Sequence, residues 1–88
     1  MGEVIFEHIS RDLELLITGD KGETQQGRIT LTAIHRQDGD FILHGIGHAS
    51  KQAHDFRLSQ VKEIIDLTSG EKVNVAEFRA ELMGHPIA

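Results

Sequence analysis

Short apolar runs rich in β-branched residues follow one another between residues 28 and 67, and clusters of Gly, Asp and other polar residues separate them. The runs cover residues 29–35, 41–48, 54–58 and 63–67. Runs of this length, bounded by turn residues, are typical of antiparallel strands. The pattern predicts a single small, mainly β domain.

Turn-forming residues indicate where the predicted strands reverse. Asp38-Gly39 can take the positive φ angles of a two-residue hairpin turn. Residues 13–18 are a further short apolar run, predicted to be a strand, and Gly22 supplies the left-handed position of the turn after it. Residues 1–12 are predicted to form an N-terminal arm or an extra strand that lies on the sheet edge or on a partner.

The alternation of side chains along a strand predicts which residues are buried. The predicted core face of the run 29–35 carries Ile29, Leu31, Ala33 and His35, and Ile34 lies on the opposite face. The other predicted core residues are Phe41, Leu43, Phe56 and Leu58. Two glycines, Gly45 and Gly47, would weaken their strand unless a sharp bend or a close backbone approach requires them. A small barrel has that requirement, because its strands coil tightly to close.

A helix is predicted over residues 74–84. Asn74 and Glu77 have the spacing of a capping box. Val75, Phe78 and Leu82 form one apolar stripe, and Gly84 ends the helix. Because a two-turn helix is not stable alone in water, we expect the stripe to pack on the sheet or on a second copy of the chain.

Composition and charge limit the function classes. The 88 residues include no Cys and no apolar run of the ~18 residues that a membrane span needs, so we expect no disulfide, no membrane contact and a cytoplasmic location. The formal net charge of −5 ordinarily argues against nucleic acid. The charge is uneven, however, because residues 28–62 hold 5 Lys/Arg and 3 Asp/Glu. A random mixture of charges is the alternative explanation for this basic middle.

Five strands, with a tight turn at residues 59–61 before the last, predict a five-stranded SH3-like (Sm-like) β-barrel with a short C-terminal α-helix. Within this pattern the residues resemble the WYL domain. Phe41-Ile42-Leu43 stands where that family has Trp-Tyr-Leu, and Gly47-His48 leads into a loop. The segment 56–61, Phe-Arg-Leu-Ser-Gln-Val, is similar to the family's Phe-Arg-Leu-Asp-Arg-Ile, and residues 63–67 followed by Thr-Ser-Gly-Glu resemble its ending. The resemblance covers residues 13–73.

The resemblance implies a module that usually follows a helical DNA-binding domain in bacterial transcription regulators and senses single-stranded nucleic acid or nucleotide ligands. It places Ile42, His48 and Arg57 at positions the family uses for ligand contact. The chain departs from the family at two motif positions. Ile42 replaces the tyrosine, which removes a hydroxyl and a stacking ring, and Gln60 replaces the second arginine, which removes a bidentate charged group. Residues 1–12 also contain no helical DNA-binding domain.

Arg57 is the leading candidate for ligand binding, because a guanidinium can clamp a phosphate. Arg28 and Lys51, together with Arg36 and Lys62, would widen the basic surface. The alternative for Arg57 is a salt bridge to Asp55 or to a carboxylate on a neighbouring strand. Side chains that stack on bases are few, because the chain has no Trp and no Tyr, and its four Phe are expected in the core.

Catalysis and metal binding have little support in the sequence. Ser50, His48 and Asp55 have the composition of a triad, but no oxyanion hole is identifiable beside them. His44 and His48 would lie ~13 Å apart along one strand, too far to share a metal, and the ligand spacing of known zinc sites is missing. We therefore predict no enzyme, no metal and no cofactor.

Two functions are open from the sequence. The first is a non-enzymatic binding module of WYL type that recognises nucleic acid or a nucleotide-like anion in a regulatory context. Its predicted ligand-binding residues are Arg57, His48, Ile42, Gln60, Arg28 and Lys51. The second is a protein-interaction module that forms a homodimer, or docks on a larger protein partner, through a strand edge and the C-terminal helix.

Overall fold

A computed structural model describes residues 3–84, which form seven antiparallel strands, a 3₁₀ turn and one helix. The elements are β1 (Glu3–Phe6), β2 (Arg11–Thr18), β3 (Thr24–Gln37), β4 (Asp40–Gly47), β5 (Ala53–Arg57), the 3₁₀ turn (Leu58–Gln60), β6 (Val61–Asp66), β7 (Lys72–Val73) and α1 (Val75–Gly84). A strand lies at each predicted apolar run, and the N-terminal arm contributes a further strand.

The strands join into a single open sheet. Six of them form one hydrogen-bonded path in the order β5-β4-β3-β2-β6-β7, and β1 pairs with β3. β1 and β2 follow each other along the same side of β3. Within residues 3–84, β5 pairs only with β4 and β7 only with β6, so the two ends of the path do not meet. The closed five-stranded barrel is therefore not confirmed, because β7 occupies the edge of β6 that a closing strand would need.

The predicted local signals form as expected. Asp38 and Gly39 have φ angles of 52° and 76°, as a hairpin turn with two positive φ values requires. Asn74 caps α1, since its Oδ1 accepts a hydrogen bond from the Glu77 amide at 3.0 Å. Gly45 allows a close approach of strands, because a Cβ there would lie 2.8 Å from Ile29 Cδ1 and 3.0 Å from the Thr30 carbonyl oxygen.

A β-bulge changes the faces of β3 in mid-strand. Leu31 lies opposite Gly45 and Ala33 opposite His44, so Thr32 is an extra residue on the β3 side. Ile34 is consequently buried in the core at 2% exposure, whereas Ala33 and His35 are only half-buried. The prediction that Ala33 and His35 belong to the buried face and Ile34 to the opposite one is wrong, because alternation does not continue across an extra residue.

The core lies on one face of the sheet and is closed by the helix. It consists of Leu13, Leu15, Ile29, Leu31, Ile34, Phe41, Leu43, Leu58, Val61, Ile64 and Leu82. Phe56, predicted as a core residue, is half-buried and packs against this cluster. Because Leu82 is 2% exposed and Phe78 packs beside the core, α1 covers its own sheet. No helix in the described part of the chain has the length and apolar character needed to span a lipid bilayer.

Candidate functional site

One cleft of the molecule arises because β3 is longer than the strand beside it. β2 pairs with β3 from Thr24 onward, but β4 pairs with it only from Ile29 onward. The turn after β4 folds next to the free stretch, and the His48 amide donates to the Arg28 carbonyl oxygen at 2.9 Å. The space between them is a cleft of about 590 Å³, here named the histidine cleft, lined by Glu14, Gln25, Gln26, Gly27, Arg28, Ile29, Gly47, His48, Ala49, Ser50, His54 and Phe56.

Two imidazoles and one guanidinium supply the polar chemistry of the histidine cleft. His48 Nε2 lies 3.1 Å from Thr30 Oγ1 and 3.2 Å from Asp12 Oδ1. His54 Nε2 lies 2.9 Å from the Ser50 hydroxyl. Arg28 donates from Nε to Glu14 Oε1 at 3.3 Å, and its side chain is 63% exposed. The two Nη nitrogens of Arg28 have no hydrogen bond within residues 6–84 and can bind an anion.

Asp12 sets the charge beside His48. The Thr30 hydroxyl donates to Asp12 Oδ1 at 2.7 Å, and this bond is the main cause of a lowered Asp12 pKa. Desolvation acts to raise the pKa, and the hydrogen bond and charge of His48 act with Thr30 to lower it. Asp12 is therefore ionised at neutral pH, and it holds the His48 ring at the rim of the cleft.

An apolar wall faces these polar groups. Ile29 is buried at its base, and the half-buried Phe56 ring lies beside the His54 ring at a centroid distance of 6.2 Å. The exposed Gln25 and Gln26 lie on the overhanging part of β3. A planar apolar group can contact the Phe56 ring while amide and imidazole groups bind its polar edge.

The structure separates the six predicted site residues. Only Arg28 and His48 line the histidine cleft, and Lys51 lies exposed in the turn next to it with a φ angle of 59°. Arg57 pairs with Ile42 across β4 and β5, and both residues lie on the face of the sheet that is opposite to Phe56 and the histidine cleft. Ile42 lies near the start of β4, whereas His48 follows the last residue of that strand, so Arg57 and His48 lie near opposite ends of β4. Gln60 lies elsewhere, with its Nε2 donating to Asp20 Oδ1 at 3.1 Å.

Arg57 has acidic surroundings. It lines a second space of about 320 Å³, here named the acidic cavity, together with Gln37, Asp38, Asp40, Ile42, His44 and Asp55. The salt bridge to Asp55 that the sequence left open is not formed, and Asp55 Oδ1 contacts His44 Nδ1. Arg57 makes no ion pair with any residue in the range 6–84.

The triad suggested by composition does not assemble. Ser50 contacts His54, His48 contacts Asp12, and Asp55 contacts His44, so each of the three residues has a different partner. Within the described residues there is no group of three or more His, Asp and Glu side chains that could hold a metal ion.

Sequence reasoning missed Phe56, His54 and the two glutamines as cleft residues. The apolar run that predicts this strand begins at Ile29, whereas β3 begins at Thr24 and includes both glutamines. The available signal was the length of the polar stretch before Ile29, which exceeds what a hairpin turn needs.

The arrangement is suited to binding. It combines a guanidinium with two open Nη nitrogens, two imidazoles, and a half-buried aromatic ring within one cleft. We compared the chain with protein-family models, with curated proteins and with solved structures, and found no match in any of the three.

Proposed function

We propose that the chain is a non-enzymatic binding module of WYL type that holds single-stranded nucleic acid or a nucleotide-like anion in the histidine cleft. The observation that carries the proposal is the presence of Arg28, His48 and His54 around the Phe56 ring in one open cleft. A cation binds the phosphate, and an aromatic ring stacks on a base, which are the two contacts that single-strand binding uses.

Two features of the sheet support the WYL-type, SH3-like part of the proposal. β6, β2, β3, β4 and β5 are neighbours in that order, and a 3₁₀ turn at Leu58–Gln60 precedes β6. Five neighbouring strands with a helical turn before the last are the pattern that predicts a small SH3-like barrel.

The charges favour the histidine cleft over the acidic cavity for an anion. Arg57 shares its cavity with Asp38, Asp40 and Asp55, whose carboxylates repel a phosphate. Glu14 is the one carboxylate among the residues that line the histidine cleft; it is occupied by Arg28 Nε and is 18% exposed, and the ionised Asp12 lies beside His48 at the rim. The family resemblance implied that Arg57 contacts the ligand. In this proposal Arg28 makes the phosphate contact instead.

Fluorescence anisotropy with labelled 12-nucleotide single-stranded DNA and RNA tests the site. We expect Arg28→Ala to weaken binding by about tenfold to a hundredfold, because a charge-assisted contact is lost. Arg57→Ala is the matched control and should bind as the wild type does. Affinity should also fall steeply between 50 and 200 mM salt, on the scale of about tenfold for two to three phosphate contacts.

Three results would contradict the proposal. An absence of salt-dependent binding to either strand, or to a nucleotide, would remove the function. Weakening by Arg57→Ala and not by Arg28→Ala would move the site to the acidic cavity. Loss of melting temperature in Arg28→Ala with unchanged affinity would make Arg28 a structural partner of Glu14.

A further inference from the structure

The outer edge of β5 is an open sheet edge. β5 (Ala53–Arg57) pairs with β4 on one side, and within residues 3–84 no strand pairs with its other side. Such an edge presents unpaired backbone N–H and C=O groups to any strand of matching register. The edge is the longer of the two ends of the sheet, since β7 at the opposite end has two residues.

Charges on β5 alternate in a way that is complementary to a second β5. Asp55 and Arg57 lie on one face of the strand, and Phe56 lies on the other. The Asp55 side chain is 64% exposed, its Oδ1 contacts His44, and its Oδ2 has no hydrogen bond within residues 6–84. Arg57 is exposed and without an ion pair in the same range. Each strand therefore offers one carboxylate oxygen and one guanidinium.

We propose that two copies of the chain pair antiparallel through their β5 edges, with a two-fold axis at Phe56. In this register Arg57 of each copy lies opposite Asp55 of the other, which gives two ion pairs, and the two Phe56 residues lie opposite each other. An antiparallel ladder can be centred on either type of residue pair, so the register does not depend on which amides point outward. This proposal is argued from β5 alone and does not rest on the nucleic-acid function, although Phe56 also lines the histidine cleft.

Moving the two-fold axis by one residue, which shifts the register by two, removes the complementarity. A two-fold axis at Asp55 would place the two Asp55 carboxylates opposite each other, and like charges directly opposite are destabilising. Ile46, which is 39% exposed, lies beside Ala53 on the same face as Asp55 and adds apolar surface near the edge. The ladder is short, so we expect a weak dimer with a dissociation constant on the order of 0.1 mM.

Two charge-reversal variants, measured alone and as a mixture by sedimentation equilibrium, test the register. Arg57→Asp gives a strand with two acidic residues, and Asp55→Arg gives a strand with two basic residues. Each variant alone should self-associate at least about tenfold more weakly than the wild type, because both ion pairs become repulsive. An equimolar mixture of the two variants should dimerise again, since every acidic residue then lies opposite a basic one.

Lys62→Asp is the control, because it makes the same charge change at an exposed residue of β6 and should leave self-association unchanged. Circular dichroism of each variant checks that it folds. A wild-type chain that stays monomeric up to about 1 mM would overturn the proposal. So would folded single variants that dimerise as the wild type does, or a mixture that stays monomeric.

Discussion

At the scale of single residues, Asp40 connects three parts of the chain. Its Oδ1 accepts from the Phe41 amide at 2.8 Å, and its Oδ2 accepts from the Ser59 hydroxyl at 2.6 Å. Arg79 of α1 lies 3.6 Å from the same carboxylate and also lies over the Phe41 ring. One side chain therefore joins the start of β4, the 3₁₀ turn and the helix.

The charge of Asp40 is stabilised in the folded chain. Burial acts to raise its pKa, but the hydrogen bonds from Ser59 and Phe41 and the charge of Arg79 outweigh it, so the pKa lies below the ordinary value. A carboxyl group with a lowered folded pKa stabilises the protein fully above its unfolded pKa, and this stabilisation is lost as the pH falls through the folded pKa.

We expect Asp40→Asn to lower the free energy of unfolding at pH 7 by about 1–2 kcal/mol, because hydrogen bonds to a charged acceptor become weaker. The difference from the wild type should shrink as the pH is lowered below about 4, where the wild-type carboxyl is protonated too. Urea denaturation at pH 7 and pH 3 measures both values. Asp38→Asn, at an exposed turn residue of the same type, should change stability by less than about 0.5 kcal/mol. An Asp40→Asn deficit that is equal at both pH values would refute the linkage.

At the scale of elements, the sequence predicted what is determined locally. The predicted strands, the Asp38-Gly39 turn and the Asn74 cap follow from residues that are neighbours in the chain, and all of them form, whereas the two-residue strand β7 was not predicted. The bulge at Thr32 could not be predicted, because it depends on how β3 aligns with Gly45 and His44 across the sheet. The histidine cleft depends on the same alignment, since it exists where β4 stops and β3 continues.

The candidate site was predicted in part for the same reason. Arg28 and His48 are 20 positions apart in sequence, and the β3–β4 pairing brings them into backbone contact. Arg57 was placed with them through the family resemblance, but its position on β5 is on the face opposite to Phe56. Because successive residues of a strand point to opposite faces, Phe56 faces the cleft and Arg57, the next residue, does not.

Two substitutions after the bulge test which face of β3 is buried there. Ile34→Ala should lower the free energy of unfolding by about 2–5 kcal/mol, because a buried side chain is replaced by a cavity. His35→Ala should cost less than about 1 kcal/mol, since that ring is half-buried and its partner is the His44 ring at 4.3 Å. Chemical denaturation of both variants is the measurement. The opposite ranking would mean that strict alternation, and not the bulge, describes β3.

At the scale of the whole molecule, the N-terminal segment and the helix meet in one apolar groove of about 200 Å³. The groove is lined by Phe6, Ile9, Arg11, Leu31, Ile34, Phe78, Glu81 and Leu82. Ile34 reaches it because of the bulge, and Leu82 enters the core beside it. The helix is therefore part of the fold of a single copy, as the packing of its apolar stripe shows.

Substitutions at two adjacent residues of α1 test whether the helix packs on its own sheet. Leu82→Ala should lower the free energy of unfolding by about 2–5 kcal/mol, because Leu82 is 2% exposed in the core. Met83→Ala should be nearly neutral, because Met83 is 63% exposed. Thermal melts give the stabilities, and light scattering gives the mass of each variant. A Leu82→Ala chain of unchanged stability but reduced mass would show that the helix docks on a second copy.

The ladder between β2 and β6 has a consequence for how the chain folds. Leu13 pairs with Asp66 and Leu15 with Ile64, whereas β2–β3, β3–β4 and β4–β5 are hairpins between neighbours in sequence. Closing a long loop costs chain entropy before its contacts form, so long-range ladders are slow steps in folding. We therefore expect the hairpins that carry the histidine cleft to assemble first, and the closure of β6 onto β2 to limit the rate of folding.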